Sequence, residues 1–301
     1  MEKLELSGHS LARKLAIQSP SPEQRCDVNW ANPNNSQLWV KRDDLLHPII
    51  SGNKWRKLKY ALAMALSQST THIISFGGGY SNHLHALGYC CYQLGIQFTA
   101  IVRGNYQQNL TPMLQDLVQW QSDIQYVDKA TYQRRNDADY LSSLEQRYPQ
   151  AQIIAEGGSQ HSALQGVAEI ISELQQEYDY ILLPVASGGT LAGLIQSTNS
   201  SQLIGIAVLK GKGYLESLVQ QLLNGDQQCQ WQILHDFHHG GYAKSSTELS
   251  DFCRNFSHFP IESVYSGKLL FAAKQLLAQG YFAANSKVLL IHTGGLQTNR
   301  D

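Results

Sequence analysis

Short, unbroken apolar runs alternate along this chain with glycine-rich turns and with stretches whose apolar positions recur at helical spacing. Thr71–Phe76 is one such run; Gly77-Gly78-Gly79 follows it, then Leu84, Leu87, Gly88 and Cys91 on one helical face. Phe98–Val102 leads into Arg103-Gly104-Asn105, and Ile124–Val127 and Ile153–Ala155 repeat the pattern. Tyr180–Val185 runs into Ala186-Ser187-Gly188-Gly189-Thr190 and a helical Leu191–Ile195, and Leu203–Val208 and Val288–His292 complete the set. A strand covered on both faces reads as a continuous apolar run, whereas a half-exposed strand alternates. Runs of the first kind separated by helices predict parallel sheets with helices on both sides, so the fold class is α/β. Trp55–Ala65 predicts a further helix. Ser19–Gln37, rich in Ser, Pro, Asn and Gln, predicts loop with one short strand, and Asn224–Gln230 is a polar interruption.

Composition narrows this picture. The 301 residues suit about two units of ordinary size, and a hydrophobic fraction of 43% is enough to build their cores. With 16% charged residues and a net charge of -1, no basic surplus points to nucleic acid. Met1–Glu5 lacks the apolar stretch of a secretory signal, and no run of eighteen apolar residues predicts a membrane span. Cys26, Cys90, Cys91, Cys229 and Cys253 are odd in number and scattered, which fits neither a disulfide framework nor a zinc site. No metal is expected, and reduced thiols point to a cytoplasmic location.

In parallel α/β sheets, ligands bind beyond the carboxyl ends of the strands, so the glycine-rich strand-to-helix turns hold the candidate chemistry. Ser187-Gly188-Gly189-Thr190 offers close backbone approach, successive amides and two hydroxyls. It has neither dinucleotide nor P-loop spacing, which leaves a single phosphate monoester or an ordinary tight turn. Ser51-Gly52-Asn53-Lys54 frames a lysine at a helix start; it reads as a Schiff-base amine or as a solvated lysine like Lys57 and Lys59. Gly77–His83 exposes backbone donors with Ser81, Asn82 and His83, suiting a carboxylate or phenolate oxygen, with Ser81 or Asn82 also fit to cap the helix. Leu289–Gly295 places the hydroxyl of Thr293 at a strand end.

Together these segments resemble the pyridoxal-phosphate family of D-cysteine desulfhydrase and 1-aminocyclopropane-1-carboxylate (ACC) deaminase. The match runs through Val40–Tyr60, Phe76–Leu87, Glu156-Gly157-Gly158-Ser159, Pro184–Leu191, Val264–Lys268 and Leu289–Gly295. Gln107–Arg147 and the N-terminal 35 residues match weakly and carry nothing over. The resemblance implies the tryptophan-synthase-β-like fold, type II among these enzymes, with two open, twisted, mainly parallel sheets flanked by helices. It implies pyridoxal 5'-phosphate as coenzyme, carried on Lys54, which also moves the substrate's α proton. Asn82 would bond the coenzyme's 3-hydroxyl, Ser187, Gly188, Gly189 and Thr190 its phosphate, and Thr293 its pyridine nitrogen. Ser81 would hold the substrate carboxylate and Tyr265 would lie over the substrate. His83 either contacts substrate or caps and packs. Gly240-Gly241-Tyr242 resembles a loop lining the pocket.

ACC deaminases of this family usually have Glu after the pocket tyrosine and Leu before the final glycine pair, where this chain has Ser266 and Thr293. They often have Gln where His83 stands. The small hydroxyls imply a D-cysteine desulfhydrase-like β-elimination to pyruvate, ammonia and sulfide. ACC deaminase, a hydrolase, is the alternative enzyme, and a non-catalytic phosphate- or coenzyme-binding protein is the alternative of another class. Family members run somewhat longer past the last glycine pair than Asp301, so a reduced C-terminal lid is expected. The resemblance also implies a homodimer with a small amino-acid substrate. The expected division is a larger domain, residues 1–54 and 161–301, and a smaller inserted one, residues 55–160.

Overall fold

The computed structural model describes residues 8–298 except Ser159, Asn224, Asp226 and Gln227. The readings made on Met1–Glu5, on Ser159, on Asp301 and on part of the Asn224–Gln230 interruption lie outside these residues.

The strands run β1 (Glu23–Arg25), β2 (Gln37–Lys41), β3 (His72–Gly78), β4 (Gln97–Arg103), β5 (Asp123–Val127), β6 (Ala151–Ile154), β7 (Tyr180–Val185), β8 (Gln202–Ala207), β9 (Trp231–Leu234) and β10 (Lys287–Ile291). They form a six-stranded sheet in the order β1-β2-β10-β7-β8-β9 and a four-stranded sheet in the order β5-β4-β3-β6. Every pairing is parallel except that of β1 with β2. The helices are α1 (Gly8–Lys14), α2 (Asn53–Ser67), α3 (Asn82–Leu94), α4 (Pro112–Gln119), α5 (Lys129–Gln133), α6 (Ala138–Arg147), α7 (His161–Ser172), α8 (Gly189–Ile195), α9 (Tyr214–Gln220), α10 (Thr247–Asn255) and α11 (Ser266–Ala278).

The α/β class follows from the central strands. β3 buries His72–Gly77, β4 buries Phe98–Val102 and β7 buries Ile181–Val185, so both faces of each are covered by side chains. Each apolar run read from the sequence falls on a strand, and the strand expected in Ser19–Gln37 is β1. β9 was not legible as a run, because it is a half-buried edge strand, and α1 is a short helix outside any periodic stretch.

One core joins Leu11 of α1 and Leu15 just after it to Leu58 and Leu62 of α2, Leu84 and Leu87 of α3, and Ile73 and Phe98 of the smaller sheet. Two others cover the faces of the larger sheet; α7, α8 and α9 supply one and α11 the other. α2 passes between the sheets and packs along α7. There the buried guanidinium of Arg56 donates to Asp43 Oδ1 at 2.9 Å and to Glu173 Oε1 at 2.5 Å. Lys41, also buried, lies 3.3 Å from Glu173 Oε2, and Lys59 and Tyr60 both donate to Glu169 Oε1 at 2.6 Å. This network ties the helix that begins with Asn53 and Lys54 to the larger sheet.

Candidate active site

The start of α2 is where distant segments converge. Gly52 has φ 63°, and a Cβ there would come 1.8 Å from the Thr293 carbonyl oxygen, so only glycine fits. Its N–H donates to the Asp43 carbonyl at 3.0 Å, and the next N–H, of Asn53, donates to the Thr293 carbonyl at 3.3 Å. The Asn53 side chain donates to Thr190 Oγ1 at 2.9 Å and accepts from Lys54 Nζ at 2.6 Å. Lys54, the glycine turn at Ser187–Thr190 and the strand end at Thr293 therefore meet around one asparagine. Burial lowers the Lys54 amine from 10.5 to about 8, and the nearby carboxylate of Glu262 offsets part of that shift.

One turn along α2, Lys57 lies on the same side. Its Nζ donates to Ser187 Oγ at 3.3 Å and to the Gly157 carbonyl at 3.4 Å. Burial, with the charge of Lys54, lowers this amine to about 7. Gly188, with φ 77°, turns the chain into α8, whose first residues include the Thr190 hydroxyl. Two amines near one another, beside two hydroxyls and a glycine turn, offer the donors that a phosphate would need.

The smaller sheet supplies the facing wall. Ser81 caps α3, its hydroxyl accepting from the Leu84 N–H at 3.2 Å. The Thr111 hydroxyl donates to the Gly79 carbonyl and holds the glycine turn. A Cβ built on Gly78 would meet nothing within 4 Å, so the turn borders open space. Asn82 opens α3, and its Oδ1 accepts from Gln297 Nε2 at 2.5 Å.

His83 faces inward. Ser75 Oγ spends its one proton on the Ile154 carbonyl at 2.7 Å, so the 2.7 Å contact with His83 Nε2 requires the imidazole to donate. His83 Nδ1 is then a bare acceptor, buried without a hydrogen-bond partner. Burial and the two lysine charges push this imidazole down to about 3. His83 is expected to stay neutral, with its proton on Nε2, at every pH well above about 3. Nitrogen NMR of the labelled protein checks this; a ring that titrates near 6.5 would refute it.

Tyr265 completes the site from the larger sheet. Its hydroxyl lies 3.0 Å from that of Tyr242, and burial, with Tyr242 next, holds the phenol well above its usual pKa. Glu262 organises the turn: its carboxylate accepts from the N–H groups of Val264 at 2.6 Å, Tyr265 at 2.9 Å and Ser266 at 2.7 Å, and from Ser266 Oγ at 3.0 Å. Lys268, fully buried, donates to the carbonyls of Val208 at 3.0 Å and Gly241 at 2.9 Å and so anchors the Gly240-Gly241-Tyr242 loop.

The family described as pyridoxal-phosphate dependent enzyme matches residues 21–294. The chain belongs to this family. Its coenzyme is pyridoxal 5'-phosphate. A protein of Pyrococcus horikoshii named "Putative 1-aminocyclopropane-1-carboxylate deaminase" is 28% identical over 87% of this chain and 85% of its own length. The Arabidopsis thaliana mitochondrial bifunctional D-cysteine desulfhydrase/ACC deaminase is 25% identical over 92% of this chain and 76% of its own. Among solved structures, an ACC deaminase homologue superposes with a TM-score of 0.77 at 25% identity, covering 95% of both chains. A hydrogen sulfide-producing enzyme of Fusobacterium nucleatum, at 11% identity and a TM-score of 0.69 over 94% of this chain and 98% of its own, shares the fold. The resemblance read from the motifs, and the type II fold it implied, stand.

The residues present fit the coenzyme of this pyridoxal-phosphate family. A buried amine of lowered pKa stands at the start of α2, a second amine and two hydroxyls lie at the glycine turn, and the charges of both amines act on the buried His83. The geometry brings Lys54, Ser81, Asn82, Ser187–Thr190, Tyr265 and Thr293 to the same cleft. It adds Lys57, Asn53, Glu262 and Lys268, which the sequence reading did not single out. Lys57 carried a signal, since it follows Lys54 by three positions and so shares its helix face.

Proposed function

We propose that the protein is a pyridoxal-phosphate lyase that eliminates the β substituent of a D-amino acid, as a D-cysteine desulfhydrase does. The observation that carries this reading is the surroundings of Tyr265. The residue after it, Ser266, is fully buried and bonded to Glu262, and Glu262 itself is taken up by three backbone amides. Among the described residues no carboxylate stands free beside the tyrosine to handle protons, so proton transfer at the substrate's Cα rests on Lys54. A β-elimination needs one such base at Cα. Opening the cyclopropane of ACC, which has no α hydrogen, demands more. The Arabidopsis relative named for both activities supports the substrate class.

When bound, pyridoxal phosphate withdraws electrons from Cα and makes its proton removable. The chain's residues do the rest. Lys57 and Ser187–Thr190 would hold the phosphate and Asn82 the ring oxygen. The Thr293 hydroxyl would serve the pyridine nitrogen without the acidity to protonate it. Ser81 and the amides of its turn hold the carboxylate, Lys54 takes the α proton as a neutral amine, and Tyr265, protonated at every working pH, supplies a proton to the departing sulfur. D-cysteine and water thereby give pyruvate, ammonia and hydrogen sulfide. The two sheets support the division into two units, with residues 55–160 around the smaller sheet, although Leu11 of α1 packs in the core of that unit.

Purified protein offered D-cysteine, L-cysteine, D-serine and ACC tests the reading. Sulfide and pyruvate are expected from D-cysteine faster than any product from the other three. Release of 2-oxobutyrate from ACC with no sulfide from D-cysteine would reverse the assignment. No product from any of them would leave a coenzyme-binding protein.

A further inference from the structure

Gly294 and Gly295 both have positive φ, 74° and 92°, and turn the chain beyond β10 back over the start of α3. In the short helical turn that follows, Leu296–Thr298, the Gln297 side chain reaches Asn82. Gln297 Nε2 lies 2.5 Å from Asn82 Oδ1 and 3.4 Å from the Tyr80 carbonyl. A backbone carbonyl only accepts, so it is the NH2 end of Gln297 that faces Tyr80. The atom of Asn82 meeting the same NH2 group is then its oxygen, and the Asn82 NH2 is turned the other way. On that side a Cβ at Gly295 would come within 3.1 Å of Asn82 Nδ2, so glycine at 295 leaves the amino group room. Gln297 Oε1 is buried with no hydrogen-bond partner. A flipped Gln297 would set that oxygen against the Tyr80 carbonyl, which explains why the amide keeps this orientation.

We propose that Gln297 is a positioning residue that fixes the polarity of the Asn82 amide, so that Asn82 presents N–H, a donor, to the ring oxygen of the coenzyme. This rests on the reading of Asn82 as the ring-oxygen contact. The two ends of an asparagine amide have the same shape, and the pocket alone does not choose between them; a partner committed to donating does. A donor at the ring oxygen stabilises its ionised form, and an acceptor stabilises the neutral hydroxyl. The polarity of one amide therefore sets which form of the bound coenzyme prevails.

Charge substitutions at 297 separate polarity from packing. In Gln297→Glu the carboxylate only accepts, so it draws the NH2 group of Asn82 towards itself and leaves the oxygen facing the coenzyme. In Gln297→Lys the ammonium only donates and preserves the native polarity. The readouts are the absorption spectrum of the coenzyme-loaded protein as a function of pH and the coenzyme dissociation constant, with Asn82→Ala as control and circular dichroism to confirm the fold. Gln297→Glu is expected to shift absorbance from the longer-wavelength band of the ionised ring oxygen to the shorter-wavelength band of the neutral one. The equilibrium between the two should move by a factor on the order of ten, the weight of one hydrogen bond. Gln297→Lys should keep the parent spectrum. If both variants shift alike, or neither shifts while Asn82→Ala does, the proposal is overturned and the Asn82 contact stands. A parent spectrum in Asn82→Ala overturns the Asn82 contact itself, and the proposal with it.

Discussion

Replacing Lys54 by alanine is expected to leave a folded protein whose turnover has fallen by about 10⁴-fold, the full range of general-base catalysis. The fold survives because Lys54 makes one hydrogen bond, to the neighbouring Asn53. Glu262, whose charge it faces, keeps its three backbone partners. Lys54→Arg is expected to fare no better, since a guanidinium stays protonated and cannot serve as the base. Borohydride treatment followed by mass spectrometry should fix the coenzyme to the parent chain at Lys54 and to neither variant. The pH dependence carries a sign as well. Because burial lowers this amine from 10.5 to about 8, its neutral, reactive form grows as pH rises through about 8. The rate at which coenzyme-free protein takes up pyridoxal phosphate should climb there, and a climb delayed to 10.5 would show that the amine is solvated. Glu262→Gln removes the carboxylate that favours the ammonium and should move the climb to lower pH.

Arg56→Met is expected to cost about 3–5 kcal/mol of stability, because it strips the positive charge from a buried ion-pair network and leaves carboxylates uncompensated. Arg56 is inaccessible to solvent and donates to both oxygens of Asp43, at 2.9 and 3.2 Å, and to both of Glu173, at 2.5 and 2.7 Å. Ser21 Oγ donates to Asp43 at 2.6 Å, but a hydroxyl does not replace a cation. Urea unfolding of the coenzyme-free protein measures the loss, and adding Asp43→Asn to Arg56→Met should recover part of it. A loss below 1 kcal/mol, the range of exposed pairs, would mean that water reaches the network. Burial alone would raise the Glu173 carboxyl, but the hydrogen bond and charge of Arg56, with Lys41, outweigh it and hold the group below 4.5. A carboxyl depressed on folding contributes stability that is present above its unfolded pKa and lost as pH falls through the folded one. The parent should therefore lose this contribution below about pH 4.5, and Arg56→Met should not show that loss.

What the sequence made legible follows from how each part is stabilised. The central strands could be read because each is covered on both faces and must be apolar at consecutive positions, as in Ile181–Val185. The site segments could be read because glycines followed by hydroxyl or amide residues at strand ends leave a local signature, as at Gly77–Asn82 and Ser187–Thr190. Other features depend on contacts between distant segments. Gln297 meets Asn82 across 215 positions and Lys57 meets Ser187 across 130, and neither partner marks the other in the chain. Glu262 lies between the two cases: its four-residue spacing to Ser266 hints at a local cap, but only the structure shows the carboxylate enclosed by amides. β9 stands at a sheet edge, where half-exposure blurs the apolar run.

The seating of Gly52 against Thr293 has a consequence for how the protein is made. Lys54 leaves the ribosome early, but the turn that precedes it, Gly52-Asn53, is seated on the carbonyl of Thr293, which follows β10, and β10 is laid between β2 and β7 in the middle of the larger sheet. Until that strand arrives, β2 and β7 each lack a neighbour and the turn before the lysine lacks its partner. A nascent chain halted before Lys287 thus carries the reactive amine without the pocket that tames it. It also lacks the Thr293 carbonyl that receives the Asn53 N–H at the start of α2.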